Sequence, residues 1–398
     1  MTIKLTRRGF IKASALTAGA MAVPAFAAER PIRIGWLSSL TGPLSSAAIA
    51  ENHGVQFAVN QINAAGGVGG RKLDLLTRDT QGDPTKAVNF AQQLAFSEKV
   101  DFVIGPVNSG ESLATVPILA HANIPNIIIG TVDKLTNPAK YPLAFRAINT
   151  NTQWIEGTNH YTLDVLKKTK IAIIGDTTGY GTSTVDSAKR LLSKQGVTPV
   201  YTTLVKPNQT DLSDEMNKAQ SAGANVLMPW SAATGLLARI LNARGNMGWD
   251  IPIVGHPALM GLDIQHLLNK PSYWDNTYAI GYKCTTFDKN GNLPAGTQRL
   301  MKAIRPKLKG GKIDFTFWWV ALGYDTVQII KHAVEKAGST DAGKIKTGLE
   351  NTSDLKEVYA APHGYTWTPH DHNGFPTSDL AMDVADTFKE GSFQRAPR

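Results

Sequence analysis

From Ile32 to Thr131 the chain repeats one unit: a short apolar run, a loop marked by Gly or Asp, then the apolar spacing of an amphipathic helix. Ile32-Arg-Ile-Gly-Trp-Leu37 alternates like a strand. After the Gly42-Pro43 turn, Ala48, Val55, Phe57, Ala58 and Ile62 fall at helical spacing. The glycines between Gly66 and Gly70 end that helix, because glycine takes left-handed backbone positions without strain. Lys72 to Thr77 reads as a second strand leading to Asp79. Asp83 suits an N-cap and Pro84 a first helical residue for a helix through Phe96. Asp101 to Gly105 is a third strand, followed by the loop Pro106 to Gly110 and a third helix, and Asn126 to Ile129 is a fourth strand. Strands alternating with helices at this spacing imply an α/β fold with a parallel sheet covered on both faces. Such sheets bind ligands beyond the carboxyl ends of their strands, which singles out loops 38–47, 81–83, 106–110 and 130–134.

The alternation then starts again. A helix over Trp154 to Leu166 precedes a strand over Lys170 to Gly175. Further strands are predicted at Pro199 to Leu204, Ala224 to Pro229 and Ile251 to Gly255, with helices at Thr184 to Gln195, Leu212 to Ala222 and Thr234 to Arg244. Trp318 to Ala337 predicts one long helix, and Gly364 to Thr368 with Asp383 to Ala385 a closing strand pair.

At the N-terminus, Arg7-Arg8 precede a mildly apolar stretch, Ala13 to Val23, and the small residues Ala25-Phe26-Ala27. This pattern reads as a twin-arginine export signal covering residues 1–27. The stretch is shorter than the ~20 residues that span a bilayer. The net charge of +9 falls to +5 without the four basic residues of the leader. No dense basic run suggests nucleic acid. The single cysteine, Cys284, reads as a small buried hydrophobe.

Asn108-Ser109-Gly110 is the strongest candidate site. A strand that ends in a small-residue loop and opens a helix offers unpaired N–H groups and the positive end of a helix dipole, which favour an anion. Ser109 adds a hydroxyl donor, and a helix-capping role is compatible with that one. Trp230, at a strand end, and Trp318-Trp319 offer flat walls or core filling. His256, beside Pro257, is either a ligand contact or a structurally satisfied histidine. His370-Asp371-His372 sits in a sequence with the makeup of a tight turn, and no metal site or cofactor is expected. Gly-x-Ser-x-Gly, a phosphate-loop Gly-Lys-Ser/Thr and His-Glu-x-x-His are all missing, so an enzyme is not expected.

Asn60-Gln-Ile-Asn-Ala-Ala-Gly-Gly67, Gly70-Arg-Lys-Leu-Asp-Leu75, Asp79, Asp83-Pro84, Val103-Ile-Gly-Pro106, Ile171-Ala-Ile-Ile-Gly-Asp176, Tyr180-Gly181 and Gly323-Tyr-Asp325 occur in this order. Together they resemble the periplasmic leucine/isoleucine/valine-binding proteins, the type I solute receptors of branched-chain amino acid ABC transporters. The resemblance covers essentially the whole chain after the leader. It implies two Rossmann-like lobes with parallel central sheets, residues 28–149 plus 279–357 and residues 150–278 plus 358–398, joined by a multi-crossing hinge. It also implies a small-molecule solute in the interlobe cleft, an inner-membrane ABC permease as partner, a periplasmic location and a monomer. In that family the serine matching Ser109 holds the ligand carboxylate, the loop matching Gly130-Thr131 supplies a carbonyl and a threonine, and the tyrosine matching Tyr180 covers the ligand. Two departures stand out. The stretch Gly255-His256-Pro257-Ala258 lacks the family's ammonium-pairing glutamate, and small residues, Ser45-Ser46-Ala47, replace its aromatic. An unpaired buried ammonium is costly, so these departures favour a carboxylate with an apolar or aromatic body, or a neutral amide, over leucine. Alternatives are a ligand-sensing subunit of the same fold acting on a regulator and, with less support, a periplasmic enzyme. Trp319 and Asn108 complete the set of expected contacts.

Overall fold

A computed structural model describes residues 30–397; the expected export signal lies outside the described residues. The first repeats fold as read from their pattern. Strands β1 (Ile32–Ser38), β2 (Leu73–Asp79), β3 (Phe102–Ile104), β4 (Asn126–Ile128) and β5 (Ala144–Arg146) form an all-parallel sheet of order β2-β1-β3-β4-β5. Helices α1 (Ser45–Ala64), α2 (Pro84–Gln92) and α3 (Ser109–His121) connect its strands. The Asp83 side chain accepts from the N–H groups of Thr85 and Lys86, with Pro84 at the first helical position.

The second half continues through α4 (Asn151–His160), β6 (Ile171–Asp176), α5 (Gly179–Lys194), β7 (Tyr201–Val205), α6 (Ser213–Ser221), β8 (Val226–Trp230), α7 (Thr234–Asn246) and β9 (Ile253–Gly255). Then come α8 (Leu262–Leu267), β10 (Thr277–Tyr282), α9 (Ala295–Ile304), α10 (Phe317–Ala337), α11 (Ala342–Glu350), β11 (Leu380–Lys389) and β12 (Ser392–Arg395). The second sheet has the order β12-β11-β10-β9-β8-β6-β7. It is mixed, not parallel throughout, because β11 runs antiparallel to β10 and β12 antiparallel to β11. Helix α10 returns to the first sheet's side and packs on α1: a Cβ on Gly54 would meet the Val320 carbonyl at 2.0 Å, so the two helices approach at backbone distance.

Two expectations about the chain's path need correction. β10 lies wholly in the second sheet, so residues 279–282, expected in the first lobe, belong to the second sheet and the chain returns toward the first only after Tyr282. Gly364–Thr368 is not a strand of the second sheet. Its aromatic residues are drawn into the first lobe: the Tyr365 hydroxyl donates to Asp325 at 3.2 Å and the Trp367 indole to the Arg146 carbonyl at 3.1 Å. In the following turn, buried His372 binds the Ala144 carbonyl through Nδ1 at 3.0 Å and Glu350 through Nε2 at 3.1 Å, and thus acts as a structural clasp.

Candidate functional site

The carboxyl ends of the strands in both sheets face one cavity of about 760 Å³, its open mouth included. From the first sheet's side it is lined by Pro43, Leu44, Ser46 and Ala47 after β1, Val107, Asn108 and Ser109 after β3, Ile129 and Thr131 after β4, and Ile148 after β5. From the second come Trp154 on α4, Tyr180 on α5, Ala232 and Thr234 after β8, and His256, Ala258, Gly261 and Asp263 after β9. Thr316 and Trp319, at the start of α10, close it.

Six residues expected at the site line this cavity: Asn108, Ser109, Thr131, Tyr180, His256 and Trp319. Asn108, rather than Ser109, caps α3, its side chain accepting from the Gly110 N–H at 2.7 Å. Ser109 is therefore free of capping and does something else. Its Oγ accepts from the N–H of Thr131 at 3.0 Å and of Val132 at 3.3 Å, tying the loop after β4 to the start of α3. An oxygen that accepts two bonds has only its proton left to give. Gly130 is not in the lining; its carbonyl accepts from the Arg146 guanidinium. A Cβ there would lie 2.9 Å from Leu135 Cδ1, 3.0 Å from Ser112 Oγ and 3.2 Å from Ser109 Oγ, so a larger residue would push on these side chains. Gly110 packs instead against Gly179 of the opposite lobe. Trp230 is wholly buried in the hydrophobic core and does not line the cavity, because its strand end is covered by the elements around it.

The lobe-two wall is an aromatic cluster. The His256 ring meets Trp154 edge-on at 5.2 Å and Tyr180 at 5.5 Å. Burial pushes the His256 pKa down to about 3, so the ring is neutral at physiological pH. Its Nδ1 accepts from the Ala258 N–H at 3.1 Å, which leaves the ring proton on Nε2 as a donor. Among the described residues the Tyr180 hydroxyl is buried without a hydrogen-bond partner; the nearby Thr184 hydroxyl is engaged with the Tyr180 carbonyl and Asn151. Burial first, then the Asp176 charge, raises the phenol's pKa, so it stays protonated. On the far side Trp319 stacks on Trp318 with centroids 3.9 Å apart.

Sequence reading missed Trp154, Asp263 and Thr316. Asp263 matters most. Residues 255–258 do lack an acid, but among the described residues Asp263 is the one formally charged side chain in the lining, and it accepts a hydrogen bond from Ser46 across the cleft. The inference that no carboxylate is available to a ligand ammonium therefore does not stand. Two cues were in the sequence: Gly261 and the short Leu262–Leu267 helix directly follow the strand-end loop.

The sequence pattern that defines periplasmic binding proteins matches residues 31–384. The Leu/Ile/Val-binding protein homolog 3 of Brucella melitensis is 29% identical over 370 residues, covering 92% of this chain and 93% of that protein. Among solved structures, the branched-chain amino acid transporter substrate-binding protein LivJ of Streptococcus pneumoniae, in complex with isoleucine, superposes with a TM-score of 0.76 at 24% identity, covering 91% of this chain and 97% of that one. A solute-binding protein of a Rhodopseudomonas palustris ABC transporter, in complex with 4-hydroxybenzoate, gives a TM-score of 0.77 at 16% identity over 92% of this chain and 95% of that one. With a family match over nearly the entire described chain and a two-sheet cleft of this construction, the chain belongs to the periplasmic binding protein family.

Proposed function

We propose that this protein is the periplasmic solute receptor of an ABC importer, and that its cleft takes a small monocarboxylate with an apolar or aromatic body. The observation that carries the reading is Ser109. Its oxygen is saturated by two backbone donors, and its remaining proton sits at the start of α3 inside the cavity. Helix starts and hydroxyl donors together favour an anion there. The Thr131 side chain lies beside it, and Trp154, Tyr180, His256 and Trp319 give the body of the ligand flat apolar walls. The two lobes are the rigid halves of a hinge that closes on the solute. The leader directs the chain across the inner membrane by the twin-arginine route, and the permease receives the monomeric, loaded receptor.

Asp263 supports a second reading of the ligand's other end. A carboxylate has about four acceptor sites, so Asp263 can keep its bond to Ser46 and still receive an ammonium. An α-amino acid therefore competes with an aromatic carboxylate as the solute. Isoleucine and 4-hydroxybenzoate, bound by two relatives of this fold, are suitable first probes. Ligand at about 100 times its dissociation constant stabilises a protein by roughly 2.7 kcal/mol, which thermal unfolding detects. The reading expects such a shift with one of these acids, reduced by Ser109→Ala. Failure of every carboxylate in a broad panel to shift the transition would overturn it.

A further inference from the structure

The cavity presents an electrostatic difficulty for an anion. Among the described residues no Lys or Arg lines it, and the one charged group in the lining, Asp263, is negative. Burying a carboxylate without compensating charge is costly. The nearest compensation lies behind the wall. Arg146, the last residue of β5, is wholly buried. Its Nη1 donates to the Gly130 carbonyl. Nη2 donates to the Val132 carbonyl at 2.8 Å, the Thr136 hydroxyl at 3.2 Å and the Asp133 carbonyl at 3.4 Å, and Nε to Asn373 Oδ1 at 2.8 Å. Among the described residues no carboxylate stands within ion-pair distance of it; Asp133 and Asp371 act from farther away. Burial lowers its pKa to about 10, which leaves it charged at neutral pH.

The Gly130 carbonyl and the Thr131 N–H are the two ends of one peptide group. Arg146 donates to the first, and the second donates to Ser109 Oγ at 3.0 Å. The guanidinium, that peptide and the serine hydroxyl thus form one directed series ending at the cavity. Hydrogen bonds in series polarise one another, and more so where the dielectric is low. We propose that Arg146 is a positioning residue that supplies the positive charge of the anion pole through the Gly130–Thr131 peptide and the Ser109 hydroxyl, without touching the ligand; this rests on the carboxylate reading above. Asn373, from the strap that packs on lobe one, holds the guanidinium in register through Nε.

The test moves one carboxylate. Asp371 Oδ1 already accepts from Asn373 Nδ2 at 2.7 Å, so the paired exchange Asp371→Asn with Asn373→Asp preserves net charge while placing an acid directly against Nε. Calorimetry then compares leucine with leucinamide and 4-hydroxybenzoate with 4-hydroxybenzamide. The exchange is expected to reduce the acid-over-amide preference roughly five- to tenfold while leaving amide affinity unchanged. Arg146→Lys, which keeps the charge, retains the preference; a purely structural brace would lose acid and amide binding alike in both variants. The Thr131 amide proton of the ligand-free protein also moves upfield in the exchange variant, and Arg146→Gln gives the same shift if the exchange does not fold. Weakened binding in Ser109→Ala, with an unchanged preference and an unmoved Thr131 amide in the exchange variant, overturns the relay and leaves the carboxylate site standing. Unchanged affinities in Ser109→Ala refute the site itself. If no probe binds, an unmoved Thr131 amide alone overturns the proposal.

Discussion

Gly179→Ala tests whether the lobes must close to bind. Gly179 opens α5 and faces Gly110, the second residue of α3, across the cleft. A methyl group at 179 would meet Gly110 Cα at 2.8 Å. Carbon atoms pack best at about 3.5–4.0 Å, so the lobes must part locally by about 1 Å or accept the clash. Overpacking of this kind costs about 1–3 kcal/mol. The contact joins the two lobes, so the cost falls on the closed form alone. A ligand that touches both Ser109 and Tyr180 needs that form, and the dissociation constant should rise roughly 5- to 150-fold. Within α5 itself alanine is the better helix former, so ligand-free melting should stay within about 0.5 kcal/mol of wild type. Calorimetry gives the affinity, and small-angle scattering tells whether the saturated variant stays more open than the wild type. Wild-type affinity in Gly179→Ala, repeated with the bulkier Gly179→Val, would refute both the closed-form argument and the shared cleft.

Three further outcomes follow from the site. Ser109→Ala should weaken carboxylate binding roughly tenfold or more, since a bond to a charged acceptor contributes about 1.5–3 kcal/mol; calorimetry reads it. Tyr180→Phe removes a buried hydroxyl that has no partner, so ligand-free stability should hold or rise by up to about 1 kcal/mol while ligand affinity falls; a loss of stability in chemical denaturation counts against the assignment. His256 has a folded pKa of about 3 against an unfolded value near 6.5, so the unfolded chain takes the proton first. Wild type should lose stability as pH falls below about 6.5, roughly 2 kcal/mol by pH 5, and His256→Gln should lack that component. A wild-type-minus-variant difference that stays flat between pH 7 and pH 5 would show that the ring is not held neutral.

The strand-end loops were legible because period and punctuation coincide there. Asn108-Ser109-Gly110 and Gly130-Thr131 each follow an apolar run, and both arrive at the cleft or directly behind it. Trp154 was harder to see: its spacing on α4 is that of any core-facing helix, and only the arrival of His256 from another strand end makes it a wall. Trp230 shows the reverse, a strand-end aromatic kept by the core. Gly364–Thr368 alternates like a strand, yet its pairing is limited to the bridges Leu355–Tyr365 and Thr368–Asp371, since partners for Tyr365 and Trp367 wait inside lobe one. Arg146 gave no signal at all. A lone arginine in Ala-Phe-Arg-Ala reads as a surface charge, and its carbonyl partners belong to loops whose geometry no spacing encodes.

In the proposed receptor the charges around the cleft would divide the work of recognition between the lobes. On the proposed reading, lobe one would present its anion pole at Ser109, with Arg146 behind it through the Gly130–Thr131 peptide. On lobe two, His256 is held neutral and Tyr180 stays protonated, so the aromatic wall offers hydrogen bonds without charge. Asp263 lines the cavity and accepts from Ser46 of the opposite lobe. A zwitterionic solute would set its ammonium against Asp263, beside a bond that already joins the lobes, and so would add to closure. A hydroxylated aromatic acid would leave Asp263 to Ser46 and spend its distal oxygen on His256 and Tyr180. On the proposed reading the two ligand classes would share the carboxylate pole and differ at the lobe-two end. Asp263→Asn therefore separates them: it should weaken binding of the amino acid and spare the aromatic acid, and equal losses for both would mean that Asp263 acts on closure and not on the ligand.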